Sequence, residues 1–208
     1  MNICKDGLNK MHRIVECAPG DIARRLWTLY WLARMVKSVT GSGIFVELGT
    51  REGDSTKAIL AACIDLEGQG VLWSFDIEDC SRCINDPAML AYWNFSKGNS
   101  VTEGNEWSYP RCSKKHVVRI VNSVSLLFID TDHTYETTKE EIAAWHQHIC
   151  VGGCIAFHDY WLDEPERPIS RGVKPAVDEF ANQHKDDFVL ETHDAYNDTG
   201  FAILWRIK

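Results

Sequence analysis

The 208-residue chain predicts an α/β fold, a mostly parallel sheet covered by helices and closed by an antiparallel hairpin at the C-terminal end. Three observations predict it. Apolar runs of strand length alternate with segments whose apolar residues recur at helical spacing. The central strand runs are mostly apolar, as strands buried on both faces are. The last two strand runs are joined only by "AYNDT" (195–199), a link too short for a parallel crossover.

In chain order, Pro19-Gly20 and a candidate cap at Asp21 precede "IARRLWTLYWLARMVKSV", where Ile22, Leu26, Leu29, Ala33 and Val36 share one helical face and "TGSG" ends the run. "IFVEL" (44–48) reads as a strand, and "DSTKAILAACIDLEG" as a helix burying Ala58, Ile59, Ala62, Cys63 and Leu66. "VLWSFDI" (71–77) is a second strand. Residues 79–124 carry a weaker pattern: "DPAMLAYWNF" suggests a helix, "GNS" a loop, and "HVVRIV" fits either state. "SLLFID" (125–130) is a strand and "YETTKEEIAAWHQHI" a helix stopped by Gly152-Gly153. "CIAFHDY" is a strand, "WLDEPERPISRG" (161–172) a surface loop able to cover a site, and "GVKPAVDEFANQHK" a helix. "FVLETHD" and "GFAILWRI" form the closing hairpin. The organisation is one domain: a helical cap over 1–40, a core over 41–160, and a lid loop, helix and hairpin over 161–208.

Composition excludes several classes. The formal charge of -8, from 22 Lys plus Arg against 30 Asp plus Glu, with no basic block, argues against nucleic acid as the main partner. No run reaches the roughly 18 apolar residues that span a bilayer, and the first twenty residues lack the apolar centre of a secretory signal. A cytoplasmic location with reduced thiols is expected for the eight cysteines. Oligomeric state stays open.

Polar residues gather where the strands end: Glu47 and Gly49, Asp76 and Glu78, Asp130 with Asp132 and His133, His158 and Asp159. Ligands of open parallel sheets bind at that end. The turn Gly49-Thr50-Arg51-Glu52-Gly53 lacks the third glycine of a dinucleotide fingerprint, and its acids at 47, 52 and 54 would repel a pyrophosphate. A dehydrogenase is therefore disfavoured, while a plain glycine turn stays open. Ser55 or Asp54 is expected to cap the next helix. Asp76 is placed to accept hydrogen bonds from a ribose diol, or is an exposed strand-end acid.

"VELGTREGDST", "SFDIE", "KGNS", "LLFIDTDHTYE" and "GGCIAFHDY", in this order and spacing, resemble class I S-adenosylmethionine-dependent methyltransferases, nearest to the branch of macrocin and cephamycin-type O-methyltransferases. The likeness covers about residues 40–160. It implies a Rossmann-like, doubly wound sheet of seven strands. It also implies that Glu47, Gly49, Thr50, Gly53 and Ser55 surround the methionine part of S-adenosylmethionine, that Asp76 holds the ribose, and that Asn99 and Ser100 lie beside the adenine. An acid-rich pocket suits a sulfonium and an ammonium. A bulky residue at Gly49 is expected to abolish cofactor binding while the core survives.

The same resemblance implies a divalent cation, Mg²⁺ or Mn²⁺, at Asp130, His158 and Asp159, gripping the hydroxyl oxygen of a small-molecule acceptor. His158 departs from an all-oxygen set. It is a ligand of a softer ion, the base that works with Asp130 to deprotonate the acceptor, or a loop-holding side chain. His133 orients substrate or caps the helix starting near Tyr135. Cys80, Cys83, Cys112 and His116 have the residue types of a zinc site but loose spacing, so free thiols are favoured. The expected reaction is methyl transfer to a hydroxyl of a small metabolite. Its rivals are a metal-independent N- or O-methyltransferase of the same fold and a non-catalytic cofactor-binding module.

Overall fold

The computed structural model describes residues 6–18, 20–107, 123–161, 172–193 and 200–208. Two helices come first, α1 (Asp6–Cys17) and α2 (Gly20–Thr40), followed by β1 (Ile44–Leu48), α3 (Asp54–Asp65), β2 (Val71–Asp76), α4 (Pro87–Leu90), β3 (Trp93–Lys97) and α5 (Ser100–Glu106). Then come β4 (Val124–Ile129), α6 (Tyr135–Trp145) with one 3-10 turn (His146–His148), β5 (Ile149–His158), α7 (Val173–Gln183), β6 (Phe188–His193) and β7 (Phe201–Arg206).

The seven strands form one sheet in the order β3-β2-β1-β4-β5-β7-β6. The first five are parallel, while β7 runs antiparallel to both β5 and β6. This is a Rossmann-like, doubly wound sheet whose strand order reverses between β1 and β4. The hairpin is as expected, with β7 inserted beside β5 and β6 left as the edge. Among the described residues no helix is long and apolar enough to cross a membrane.

Strand side chains alternate between two cores. Phe45, Leu72, Leu126, Phe128 and Ala156 face α1, α2, α3 and α4. Val46, Leu48, Phe75, Leu127, Ile155 and Phe157 face α6 and α7. Because α1 and α2 pack over α3, that helix is buried from Ala58 to Cys63 without interruption. Asp65 fastens the cap: it accepts the Gly7 N–H at 2.8 Å and the Tyr30 hydroxyl at 2.5 Å, and it pairs with Arg34.

Several local expectations need correction. Gly152 and Gly153 do not stop a helix; they lie inside β5, where the pairing with β4 shifts register and Gly152 takes φ +82°. The helix ends earlier, at the 3-10 turn. In "DPAMLAYWNF" only Pro87–Leu90 is helical, capped by Asp86, because Trp93 onward pairs with β2. In "GNS", Asn99 caps α5, accepting the amides of Val101 and Thr102 at 3.1 Å. α2 starts at Gly20, which puts Asp21 inside its first turn. α3 has Gly53 at its N-cap with no side-chain cap; Ser55 points elsewhere. "HVVRIV" and most of the 161–172 loop fall outside the described residues.

At the reversal, β1 and β4 come so close that glycine is obligatory. Gly49 has φ +88°, and a β-carbon there would lie 2.0 Å from the Asp130 carbonyl oxygen. The glycine is thus demanded by the backbone of the neighbouring strand, not only by a ligand. Gly49→Ala is expected to destabilise the fold by about 2 to 5 kcal/mol, combining a left-handed β-carbon with an overpacked contact. Urea unfolding measures it; a loss below about 0.5 kcal/mol, the range of neutral surface changes, would refute the close approach.

Candidate functional site

Glu47 is fully buried beneath the first turn. Its Oε1 accepts the Ser55 hydroxyl at 2.6 Å, and its Oε2 accepts the hydroxyls of Thr56 and Ser74, both at 2.7 Å. Burial pushes its pKa from the usual 4.5 to about 7, against the pull of the three hydroxyl donors. The carboxylate therefore ties β1 to α3 and β2 from below; it does not line either cavity of the site.

Above it, the turn is held by Asp76. This carboxylate accepts the amides of Thr50 at 2.7 Å, Arg51 at 3.1 Å and Glu78 at 2.9 Å. Burial opposes its charge, but these amides win and its pKa is lowered. Gly53 stands in the left-handed region against Cys83, where a β-carbon would meet the sulfur at 2.6 Å.

Two cavities open on either side of Gly49. The smaller, about 230 Å³, is lined by Gly49, Thr50, Gly53 and Ser55 of the turn, by Ile22 of α2, and by Asp130, His158 and Asp159. The larger, about 390 Å³, is lined by Asp76, Ile77 and Glu78 after β2, Asn99 and Ser100, and Thr131, Asp132 and Glu141. Gly49, Arg51 and Asp130 belong to both walls. The Thr50 hydroxyl is buried at the edge of the smaller cavity with no hydrogen-bond partner. Of the residues expected around a methyl donor, all but Glu47 line one cavity or the other.

The cluster at the ends of β4 and β5 contains a residue that the sequence left ambiguous. His133 Nε2 lies 3.0 Å from Asp130 Oδ1 and 2.9 Å from Asp159 Oδ2, bridging the two carboxylates. Burial opposes its charge, but both carboxylates outweigh that and raise its pKa to about 10, so it is an imidazolium at neutral pH. Among the described residues, Asp130, His133 and Asp159 are the one acid and histidine group able to hold a cation, their donor atoms lying within 4.8 Å of one another.

His158 sits beside this group, its Nδ1 3.0 Å from Asp159 Oδ1 and 3.7 Å from Asp130 Oδ1. Both its ring nitrogens are buried without a well-aligned hydrogen bond. Burial works against its charge, yet the two carboxylates raise its pKa. His133 does not cap α6: Thr134 does, accepting the Thr137 amide at 3.2 Å. His133 and Asp159 are both left-handed, with φ +62° and +56°, a strain that gathers at functional sites.

Two further site residues, Glu141 and Arg51, were missed from sequence, and His133 was named without its role. Glu141 is buried between the hydroxyls of Ser100 at 2.5 Å and Thr131 at 3.0 Å, and burial lifts its pKa to about 7. It sits within the α6 pattern as an ordinary helix acid, so nothing local marked it. Arg51 stands out in the sequence only as one residue of the glycine turn. The run Asp130-x-Asp132-His133 at a strand end was the available signal for His133. Of the candidate zinc set, Cys80 and Cys83 are free thiols with pKa values raised by burial to about 11 and about 12, and Cys112 and His116 lie outside the described residues.

A Rossmann-like sheet with its cavities at the β1/β4 reversal defines the class, and sequence comparison defines the family. Residues 46–160 match the methyltransferase domain family, to which the chain belongs. Among curated proteins, none matches the chain in sequence. Solved structures share its fold. A Corynebacterium glutamicum protein superposes with a TM-score of 0.68 at 13% identity, over 100% of this chain and 92% of that one. The O-methyltransferase TomG of Streptomyces achromogenes, in complex with S-adenosylmethionine, gives 0.67 at 15% identity, over 98% and 90%. A Bacillus cereus O-methyltransferase in complex with S-adenosylhomocysteine gives 0.65 at 13%, over 97% and 90%.

The buried Glu47 has a signed consequence for stability. Its folded pKa of about 7 exceeds the usual 4.5, so the native state binds the extra proton. The stability this contributes is fully present below about 4.5 and is lost as pH rises through about 7. Glu47→Gln carries no such proton. The melting temperature of the wild type relative to Glu47→Gln is expected to fall by several degrees between pH 4.5 and 7.5 and then level off; parallel profiles would contradict the assignment.

Proposed function

We propose that the protein transfers a methyl group from S-adenosylmethionine to a hydroxyl oxygen of a small molecule. The observation that carries this is the pair of cavities meeting at Gly49 and Asp130 in a chain of the methyltransferase domain family. Asp76, Asn99 and Ser100 suit a nucleoside in the larger cavity. The smaller cavity, walled by Glu52, Asp54, Asp130 and Asp159, suits a donor that carries a sulfonium and an ammonium. TomG and the Bacillus cereus enzyme bind S-adenosylmethionine and its demethylated product in the same fold, which supports the reading.

Methyl transfer by in-line displacement asks the protein to position the acceptor oxygen and remove its proton. Asp130, His133 and Asp159 would hold a divalent cation, two carboxylates and one imidazole being a donor set that suits Mn²⁺ better than Mg²⁺. Such a cation supplies Lewis acidity, lowering the pKa of a bound hydroxyl. His158 is the group to take the proton. Its side chain lines the smaller cavity with Asp159 against Nδ1, and neutralising the carboxylates would relax the upward pull on its pKa.

One observation favours a second reading. His133 as an imidazolium already holds Asp130 and Asp159 together without any metal, which is compatible with a metal-independent N- or O-methyltransferase.

Thermal shift separates the two. S-adenosylhomocysteine at about one hundred times its Kd adds about 2.7 kcal/mol, which for a chain of this size is roughly 5 to 10 °C. Mn²⁺ is expected to add a further shift that His133→Ala and Asp159→Asn abolish; NAD is expected to give none. A shift with NAD alone would overturn the donor, and full activity in excess chelator would select the metal-independent reading.

A further inference from the structure

Helix α7 carries two consecutive carboxylates, Asp178 and Glu179, and each takes a tyrosine hydroxyl from a different side of the site. Tyr160, the residue after Asp159, donates to Asp178 Oδ1 at 2.5 Å. Tyr135, two residues after His133, donates to Glu179 Oε2. Each pair is completed by a lysine in the same way. Lys174 Nζ donates to Asp178 Oδ2 and, at 3.2 Å, to the Tyr160 hydroxyl. Lys139 Nζ donates to Glu179 Oε1 at 2.9 Å and to the Tyr135 hydroxyl at 3.0 Å. Both ammonium groups also lie over the ring of their tyrosine, at 5.0 and 5.2 Å from its centre.

A third tie comes from the start of the same helix. The Gly172 N–H donates to the His133 carbonyl at 3.2 Å, and a β-carbon on Gly172 would lie 1.7 Å from the Tyr135 nitrogen. These ties flank His133 and Asp159, both of them left-handed. Such backbones persist only where the surroundings over-determine them. Asp130 is placed differently: it follows β4 directly, and its N–H donates to the Leu48 carbonyl at 2.9 Å.

The docking of α7 does not need the tyrosine hydroxyls, since Val173, Ala176, Val177 and Phe180 bury its inner face, with the Tyr160 ring packed in the same core. The two hydroxyl ties are therefore surplus to attachment. We infer that Asp178 and Glu179 are positioning residues: acting through Tyr160 and Tyr135, they fix the turns after β5 and β4 to one rigid helix and so set the spacing of Asp130, His133 and Asp159. For its link to metal affinity this rests on the metal reading above; the brace itself does not.

Tyr160→Phe, Tyr135→Phe and the double variant remove the hydroxyls alone. In the double variant, amide hydrogen exchange is expected to quicken by about tenfold or more in segments 131–135 and 157–161 and to stay unchanged in the 49–55 turn. Mn²⁺ binding, followed by calorimetry, is expected to weaken about 10- to 100-fold, the range for groups that orient metal ligands, with S-adenosylhomocysteine affinity intact. Asp178→Asn, which still accepts from Tyr160, should stay within a few-fold of wild type where Asp178→Ala does not. Unchanged exchange in both segments of the folded double variant would overturn the proposal. If the wild type binds no Mn²⁺, the metal reading fails and the exchange result alone decides the brace.

Discussion

The carboxylate of Glu47, sealed beneath the first glycine turn, accepts three hydroxyls from two neighbouring elements, and the geometry of the site descends from that knot. Ser55 and Thr56 belong to the first turn of α3 and Ser74 to the middle of β2, so one side chain of β1 fixes the strand, its partner and the crossover helix together. A buried carboxyl is tolerated only with such partners; removing them would leave its oxygens unsatisfied at a cost of about 1 to 3 kcal/mol. With α3 fixed from below, the turn between Gly49 and Gly53 has one place to go, and Asp76 seizes its amides from above.

Two acids expected at the surface of a ligand thus have structural partners already. Glu47 is wholly committed to the fold, whereas Asp76 builds the turn and still borders the larger cavity. The chemistry moves along the sheet to the strand ends after β4 and β5. There, Asp130, His133, His158 and Asp159 meet in a space where one imidazolium already offsets part of the charge of two carboxylates. An acid-rich cleft whose charge is partly neutralised from within can receive a cationic donor on one side and exchange its internal cation on the other.

Much of this was legible in the sequence for a physical reason: buried parallel strands are written as apolar runs, and "IFVEL", "VLWSFD", "SLLFI" and "CIAFH" all pair as such. The edge was less legible. β3, "WNFSK", is only half-buried, so its apolar signal is diluted and its first residues read as part of a longer helix. Gly152-Gly153 resembled a helix stop because an irregular strand entry uses the same residue. In the site, residue types at strand ends were readable, but direction was not. That Glu47 points down, that Ser55 serves it rather than a cap, and that His133 turns back between two carboxylates depend on left-handed backbone and partners distant in sequence. Tyr135 and Tyr160 likewise found their carboxylates on a helix roughly 20 to 45 residues away, beyond any local pattern.

The most direct measurement is a crystal structure of the protein with S-adenosylhomocysteine and Mn²⁺, read with anomalous scattering from the metal. The account predicts the adenosine between Asp76 and Asn99, the sulfur against Gly49, and an anomalous peak shared by Asp130, His133 and Asp159. A nucleoside bound away from the β1/β4 reversal would contradict it.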